Sequence, residues 1–144
     1  MKEFEDYLTE GVLRKINPNT ERALFLAEEA KRKLRNLKKL ISKLGVDDDS
    51  ANDYVNFCYD IIMALIRSKM YKEGYVSSGL GAHEAEVAYL EKLRFPKNEI
   101  RFADQLRYHR NGILYYGKLF DKDYALKVIE FVKKAYLKLL KVEE

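Results

Sequence analysis

Apolar positions along this 144-residue chain recur every three or four residues, the period of helices packed on one side. No stretch alternates convincingly as a strand. Residues 2–14 read as a short amphipathic helix carrying Phe4, Leu8, Val12 and Leu13, weakened by Gly11. Asn17-Pro18 reads as an N-cap followed by proline at the first helical position. The helix it opens runs over 18–44, with Ala27, Ala30, Leu34, Leu37, Ile41 and Leu44 spaced 3, 4, 3, 4 and 3 as a bundle seam requires. Gly45 ends it. Asp47-Asp48-Asp49-Ser50 forms a capping cluster for a third helix over 50–74. There Ala51, Val55, Cys58, Ile62 and Leu65 repeat at 4, 3, 4 and 3, and Gly74 is the stop. After the loop Ser77-Ser78-Gly79-Leu80-Gly81, a short helix over 82–94 carries Ala85, Val87, Ala88 and Leu90. Pro96 breaks the chain, and the next helix begins near Asn98. Asp121 caps the last helix, 122–142, built on Ala125, Val128, Val132, Ala135 and Leu139, with acids at its start and lysines towards its end.

With no repeat, low-complexity segment or dividing linker, the pattern predicts one all-α domain over 1–144. Residues 1–17 supply a lead-in helix and linker. Residues 18–142 form an up-and-down bundle of four to five main helices. At 47% apolar and 35% charged residues, the composition is that of a globular chain. No run approaches a membrane span, and the first residues, Met1 to Asp6, lack a signal peptide's apolar core, so the expected location is cytoplasmic. The single cysteine, Cys58, cannot form an internal disulfide, which fits a reducing compartment. Two histidines, neither near a cysteine or an acidic cluster, give no zinc spacing, and no cofactor motif is present. The net charge of +4 is compatible with an anionic partner without specifying one.

The chemistry concentrates in Leu106 to Gly117. At about 100° per residue, Ala103, Leu106, Ile113 and Leu114 share a face, and Arg110 projects into its middle, within roughly 20° of Ala103. An arginine there needs a partner, a ligand or a water-filled groove, because an unpaired buried charge costs several kcal/mol. Arg107, Asn111 and Tyr115 stand beside it at i, i+4 spacings and form a polar strip. A guanidinium fork with an adjacent amide suits a phosphate or the edge of a sugar. Tyr115 and Tyr116 offer phenols for stacking or for a phosphate, against the ordinary reading of tyrosines at core edges. His109 falls on the side of Phe102 and Tyr116, away from Arg110, and reads as a surface or interface histidine. Gly79-Leu80-Gly81-Ala82-His83 can present backbone N–H groups to an anion at a helix start, although an ordinary interhelical turn is the simpler reading. His83 keeps this loop among the candidates. From Lys31 to Lys39 six of nine residues are basic; a solvated helix face accounts for them, and a nucleic-acid surface is the alternative.

The pattern Leu106-Arg107-x-x-Arg110-Asn111-x-x-x-Tyr115-Tyr116-Gly117, followed by Asp121 and a last amphipathic helix, resembles the HEPN domain superfamily. Upstream, Ala51-Asn52-Asp53-Tyr54 through Gly74-Tyr75, then Gly81-Ala82-His83, looks like the third-helix and Gly-x-His segments of prokaryotic members. Leu8 to Pro18 looks like the lead-in helix of some archaeal and bacterial ones. The likeness covers roughly residues 20–142.

The resemblance implies a four- to five-helix bundle that dimerises, with the Arg-bearing helices of two copies meeting in a cleft. Active members of the superfamily are metal-independent ribonucleases carrying arginine and, four to six residues on, histidine. Others partner minimal nucleotidyltransferases in toxin–antitoxin pairs, or bind nucleotide or RNA without cleaving it. Here Arg110 matches the motif arginine and Asn111 the polar residue after it, but the histidine position is Tyr115. The implied protein is a homodimeric binder of nucleotide or RNA phosphate through Arg107, Arg110, Asn111, Tyr115, Tyr116 and His83. Without the motif histidine, proton transfer lacks its usual agent, so catalysis is expected to be degenerate. In the enzymatic alternative, a metal-independent endoribonuclease, Arg110, Asn111 and Tyr115 carry the chemistry, with Tyr115 or the other copy's His109 completing the site. In a nucleotidyltransferase pair, Tyr115 or Tyr116 receives the nucleotide. In a purely structural alternative, a dimerisation scaffold, Arg110 forms a buried interface pair.

Overall fold

The structure, a computed structural model, describes residues 1–143, with side chains as far as Leu139. Among them the chain forms six helices and two short strands: α1 (Phe4–Thr9), β1 (Leu13–Lys15), α2 (Thr20–Leu44), α3 (Ala51–Glu73), β2 (Tyr75–Ser77), α4 (Ala82–Lys92), α5 (Lys97–Tyr116) and α6 (Lys122–Glu143). The class is all-α, as the three- and four-residue spacing predicts. α3 is the axis of the bundle: it packs against α2, α4, α5 and α6. Its sequence explains why. From Ala51 to Met70 every turn contributes buried side chains, and a helix apolar over most of its circumference is stable only among others. Cys58 lies at its centre, fully buried, and burial pushes its thiol up to about 12, so it packs as a small apolar residue. Among the described residues, no helix is long and apolar enough to cross a membrane.

The main departure from the sequence pattern is at the start. The helix expected over 2–14 stops at Thr9, because Gly11 turns at φ +78°. Leu13–Lys15 then runs extended and pairs antiparallel with Tyr75–Ser77, Arg14 opposite Val76. Strands of three residues are too short to show alternation. The linker after β1 crosses tightly over the end of α3. The Ile16 amide donates to the Gly74 carbonyl at 2.9 Å, and a Cβ on Gly74 (φ +87°) would meet the Ile16 carbonyl oxygen at 2.6 Å, so only glycine fits.

The caps also shift. α2 is capped by Asn19, whose side chain accepts from the Arg22 amide, rather than by Asn17. The N-cap of α3 is Ser50, which exchanges hydrogen bonds with Asp47 and makes no side-chain cap bond. Asp48 instead reaches across the bundle and accepts from the Lys122 amide at the start of α6. Asp121 caps α6 as expected, accepting from the Tyr124 amide. Two apolar assignments fail. Leu44, at the end of the predicted seam, is 74% exposed, and Leu114, on the predicted apolar face of α5, is half exposed. α5 is held by the full burial of Ala103 and Leu106 alone, with partly buried Ile100, Phe102 and Ile113 packed beside them.

Candidate functional site

α2 runs antiparallel to α3, tied near Asn19 by its amide to the Tyr71 carbonyl and near Ala23 by the Ser68 hydroxyl donating to its carbonyl at 2.7 Å. α5 packs on α3 from another side, with Lys118 just beyond its end fixed at Asn52. Between α2 and α5, over one face of α3, lies a groove of about 380 Å³. Its floor is Tyr59, Asp60, Met63, Ala64 and Arg67; Phe25, Leu26, Glu29 and Lys33 form the α2 wall, Arg110 stands on the α5 side, and His83 comes from the first turn of α4. A smaller hollow of about 250 Å³ against β2 shares Arg67 and His83 with it.

Arg110 is the cation that α5 presents to the groove. Its guanidinium carbon sits 4.8 Å from the ring centroid of buried Tyr59, a cation–π arrangement. Its one counter-charge among the described residues is Asp60, half exposed and 3.7 Å from Nη2, beyond hydrogen-bond reach. The Nε of Arg110 and the hydroxyl of Tyr59 are both buried without a hydrogen-bond partner among the described residues. Leaving such a group unpaired costs about 1–3 kcal/mol, so two together mark a place where an acceptor would be welcome. Burial, which outweighs the nearby Arg110 charge, holds the Tyr59 phenol above its ordinary value, so it stays a neutral donor.

Arg67 is more firmly held. Its Nε and Nη2 donate to the two carboxylate oxygens of Glu86 at 2.6 and 3.2 Å. The pair fastens α3 to α4 and keeps one guanidinium beside His83.

Of the residues singled out from sequence, Arg110 and His83 are brought together on the groove. Arg107 is not a groove residue. Its side chain is mostly buried against Asp104 (3.0 Å) and Glu84 (3.9 Å), which joins α5 to the start of α4. Asn111 is half-buried, one position beyond Arg110. Tyr115 and Tyr116 are 74% and 83% exposed at the end of α5, so they do not extend a polar strip into the groove. The loop Ser77–Gly81 forms an interhelical turn, with Gly81 in the left-handed region as the N-cap of α4. The basic run on α2 is solvent-exposed apart from Lys33, which lines the groove.

His109 is not a surface histidine. It is half-buried against Phe120 and Tyr124, with Nδ1 2.7 Å from the Tyr124 hydroxyl. Burial, and then the Lys118 ammonium, hold its imidazole below the ordinary 6.5. The unfolded chain therefore takes up the proton first as pH falls. Stability is complete above 6.5 and declines as pH drops through that value. Urea titrations at about pH 7.5 and pH 5.5 are expected to show this loss, and His109→Phe to flatten it.

Tyr59, Asp60, Met63, Ala64 and Arg67 were missed by the sequence reading because α3 looks like pure core. A signal was present: Asn56, Tyr59, Asp60 and Arg67 recur at helical spacing, a polar stripe on an apolar helix. Compared with protein-family models, with curated proteins and with solved structures, the chain finds no match.

Proposed function

We propose that this protein binds the phosphate of a nucleotide or RNA in the groove between α2 and α5, and that Arg110 is the principal contact. The observation that carries this reading is the state of Arg110: stacked on Tyr59, facing one loose carboxylate, with a buried Nε that has no acceptor among the described residues. A phosphate oxygen supplies that acceptor, and a planar fork is the donor set that holds it best. Arg67 and Lys33 on the same groove add positive character against its two carboxylates, Glu29 and Asp60. This agrees with the HEPN-like reading of the α5 motif, in which a copy lacking the motif histidine binds rather than cleaves. The exposed Tyr108, Leu114, Tyr115 and Tyr116 on α5 support pairing of two copies along that helix. The two terminal phenols are accessible to a nucleotidyltransferase partner, whose action would add a nucleotidyl mass to the intact chain.

The test is fluorescence anisotropy with a labelled oligoribonucleotide in EDTA, after circular dichroism shows wild type and variants equally folded. Arg110→Ala is expected to weaken binding by about tenfold to a hundredfold. Arg110→Lys should recover only part of it, since an ammonium cannot fork. Equal affinity of wild type and Arg110→Ala, or no binding by either, would leave Arg110 a structural residue.

His83 on the same groove favours one second reading, a metal-independent endoribonuclease. His83 would accept the proton of a 2′-hydroxyl whose oxygen attacks the adjacent phosphorus. The 5′-oxygen would depart with a proton from solvent, leaving a 2′,3′-cyclic phosphate, while Arg67, the guanidinium held beside His83, offsets the developing charge. Cleavage in EDTA that disappears in His83→Ala is the result that would favour this reading over simple binding.

A further inference from the structure

The α2 wall of the groove has a built pattern of its own. Phe25, Leu26, Glu29 and Lys33 occupy positions i, i+1, i+4 and i+8, one face of the helix. Glu29 is already engaged, accepting from Arg32 at 2.7 Å. That leaves two groups facing the groove from this wall. Lys33 makes no salt bridge among the described residues, its charge reaching Glu29 only at longer range, and Phe25 is 56% exposed although it borders the groove.

Their spacing matters. Eight residues of helix put them about 12 Å apart along the axis. Because Ala23 lies beside Ser68 and the helices run antiparallel, Phe25 stands near the Arg67–His83 end and Lys33 near Asp60 and Arg110. One end of the groove therefore has two cations, an unpartnered Nε and a single loose carboxylate, Asp60. The other has an open aromatic face beside a fixed guanidinium.

Resting on the reading of Arg110 as a phosphate contact, we infer that the α2 wall guides a single strand. Lys33 shares one phosphate with Arg110, and the unpaired base of a neighbouring nucleotide stacks on Phe25. Every base has a π-face, so the platform is tolerant of sequence. It selects strandedness instead: in a duplex the base faces are already covered by their neighbours, and only an unpaired base can turn onto Phe25.

The chain contains no tryptophan, so Phe25→Trp introduces a single reporter. Three probes serve: a short oligoadenylate, an abasic strand of equal length, and the corresponding duplex. The deoxy form of the oligoadenylate separates DNA from RNA. Oligoadenylate is expected to quench Trp fluorescence in Phe25→Trp, and the abasic strand and the duplex are not. Phe25→Ala, an exposed substitution that should leave the fold intact, is expected to weaken oligoadenylate binding about tenfold and leave abasic binding unchanged. Lys33→Ala should weaken both strands and lower the salt slope by about one. If Arg110→Ala binds every strand as well as wild type does, the phosphate reading fails and the stacking inference falls with it. If Arg110→Ala loses binding while Phe25→Ala keeps full affinity for oligoadenylate, the stacking inference alone is overturned. It is overturned as well if Phe25→Ala weakens both strands equally and shifts the oligomeric state, since Phe25 would then belong to a protein interface.

Discussion

Leu106→Ala is expected to destabilise the protein by about 3 kcal/mol, within the range of roughly 2–5 kcal/mol for truncating a fully buried leucine. The reason lies in how little holds α5. Of its twenty residues, Ala103 and Leu106 are the buried ones, and Arg110 stands one turn further on. Removing the Leu106 side chain opens a cavity under the segment that aims the guanidinium at the groove. The urea midpoint should fall by roughly 1.5 M for a slope of about 2 kcal/mol/M, with the slope itself unchanged. Leu106→Met, which nearly conserves volume, should cost less than about 1.5 kcal/mol. Affinity for a phosphate ligand should fall with Leu106→Ala even under conditions where the variant remains folded. A midpoint within error of wild type would mean that α5 is seated by its partly buried residues instead.

Glu86→Ala carries the second large effect. Glu86 is buried and spends both carboxylate oxygens on Arg67, whose own side chain is about a third exposed (36%). Breaking a fully buried pair by deleting one partner costs about 3–5 kcal/mol. Partial access of water to Arg67 lowers that to about 2 kcal/mol here. Glu86→Gln keeps an acceptor and should lose about half as much. Replacing both, Arg67→Met with Glu86→Leu, should recover most of the stability, because the cost lies in the stranded charge and not in the absence of a pair. The same double variant removes a cation from the groove, so it separates stability from binding. Thermal and urea unfolding of the three variants decide the matter, and equal stability of Glu86→Ala and wild type would sink the argument.

The helices were legible because each carries a long apolar repeat that packs against one central element. The pairing of β1 with β2 was not. Leu13–Lys15 has no alternation to read, and its partner lies some sixty positions away at the end of α3. The site divides the same way. Arg110 stood out because a charge on an apolar face demands an explanation, and Tyr59 with the loose Asp60 supplies only part of it. His83 stood out as a residue at a helix start; that it lines the same groove as Arg110 follows from α4 and α5 packing on α3, which no local pattern encodes. Arg107 shows the opposite failure. It has the same local credentials as Arg110, three residues away, yet Asp104 and Glu84 absorb it. Tyr115 and Tyr116 follow the helix period correctly, but the period says nothing about whether another element covers that face.

The crossing from Asp48 to the Lys122 amide has a consequence for how the bundle tolerates change. The acidic turn after α2 belongs by sequence to α3, but one of its carboxylates finishes a helix 74 positions later. Asn52, a turn further on, grips the preceding loop from both sides, donating to the Lys118 carbonyl and accepting from the Phe120 amide. A residue inserted or lost in the acidic turn would leave α3 its own hydrogen bonds and misalign the start of α6. Length variation in this short connection is therefore constrained from the far end of the chain, and the turn is a poor place to open or lengthen the protein even though it lies on the surface.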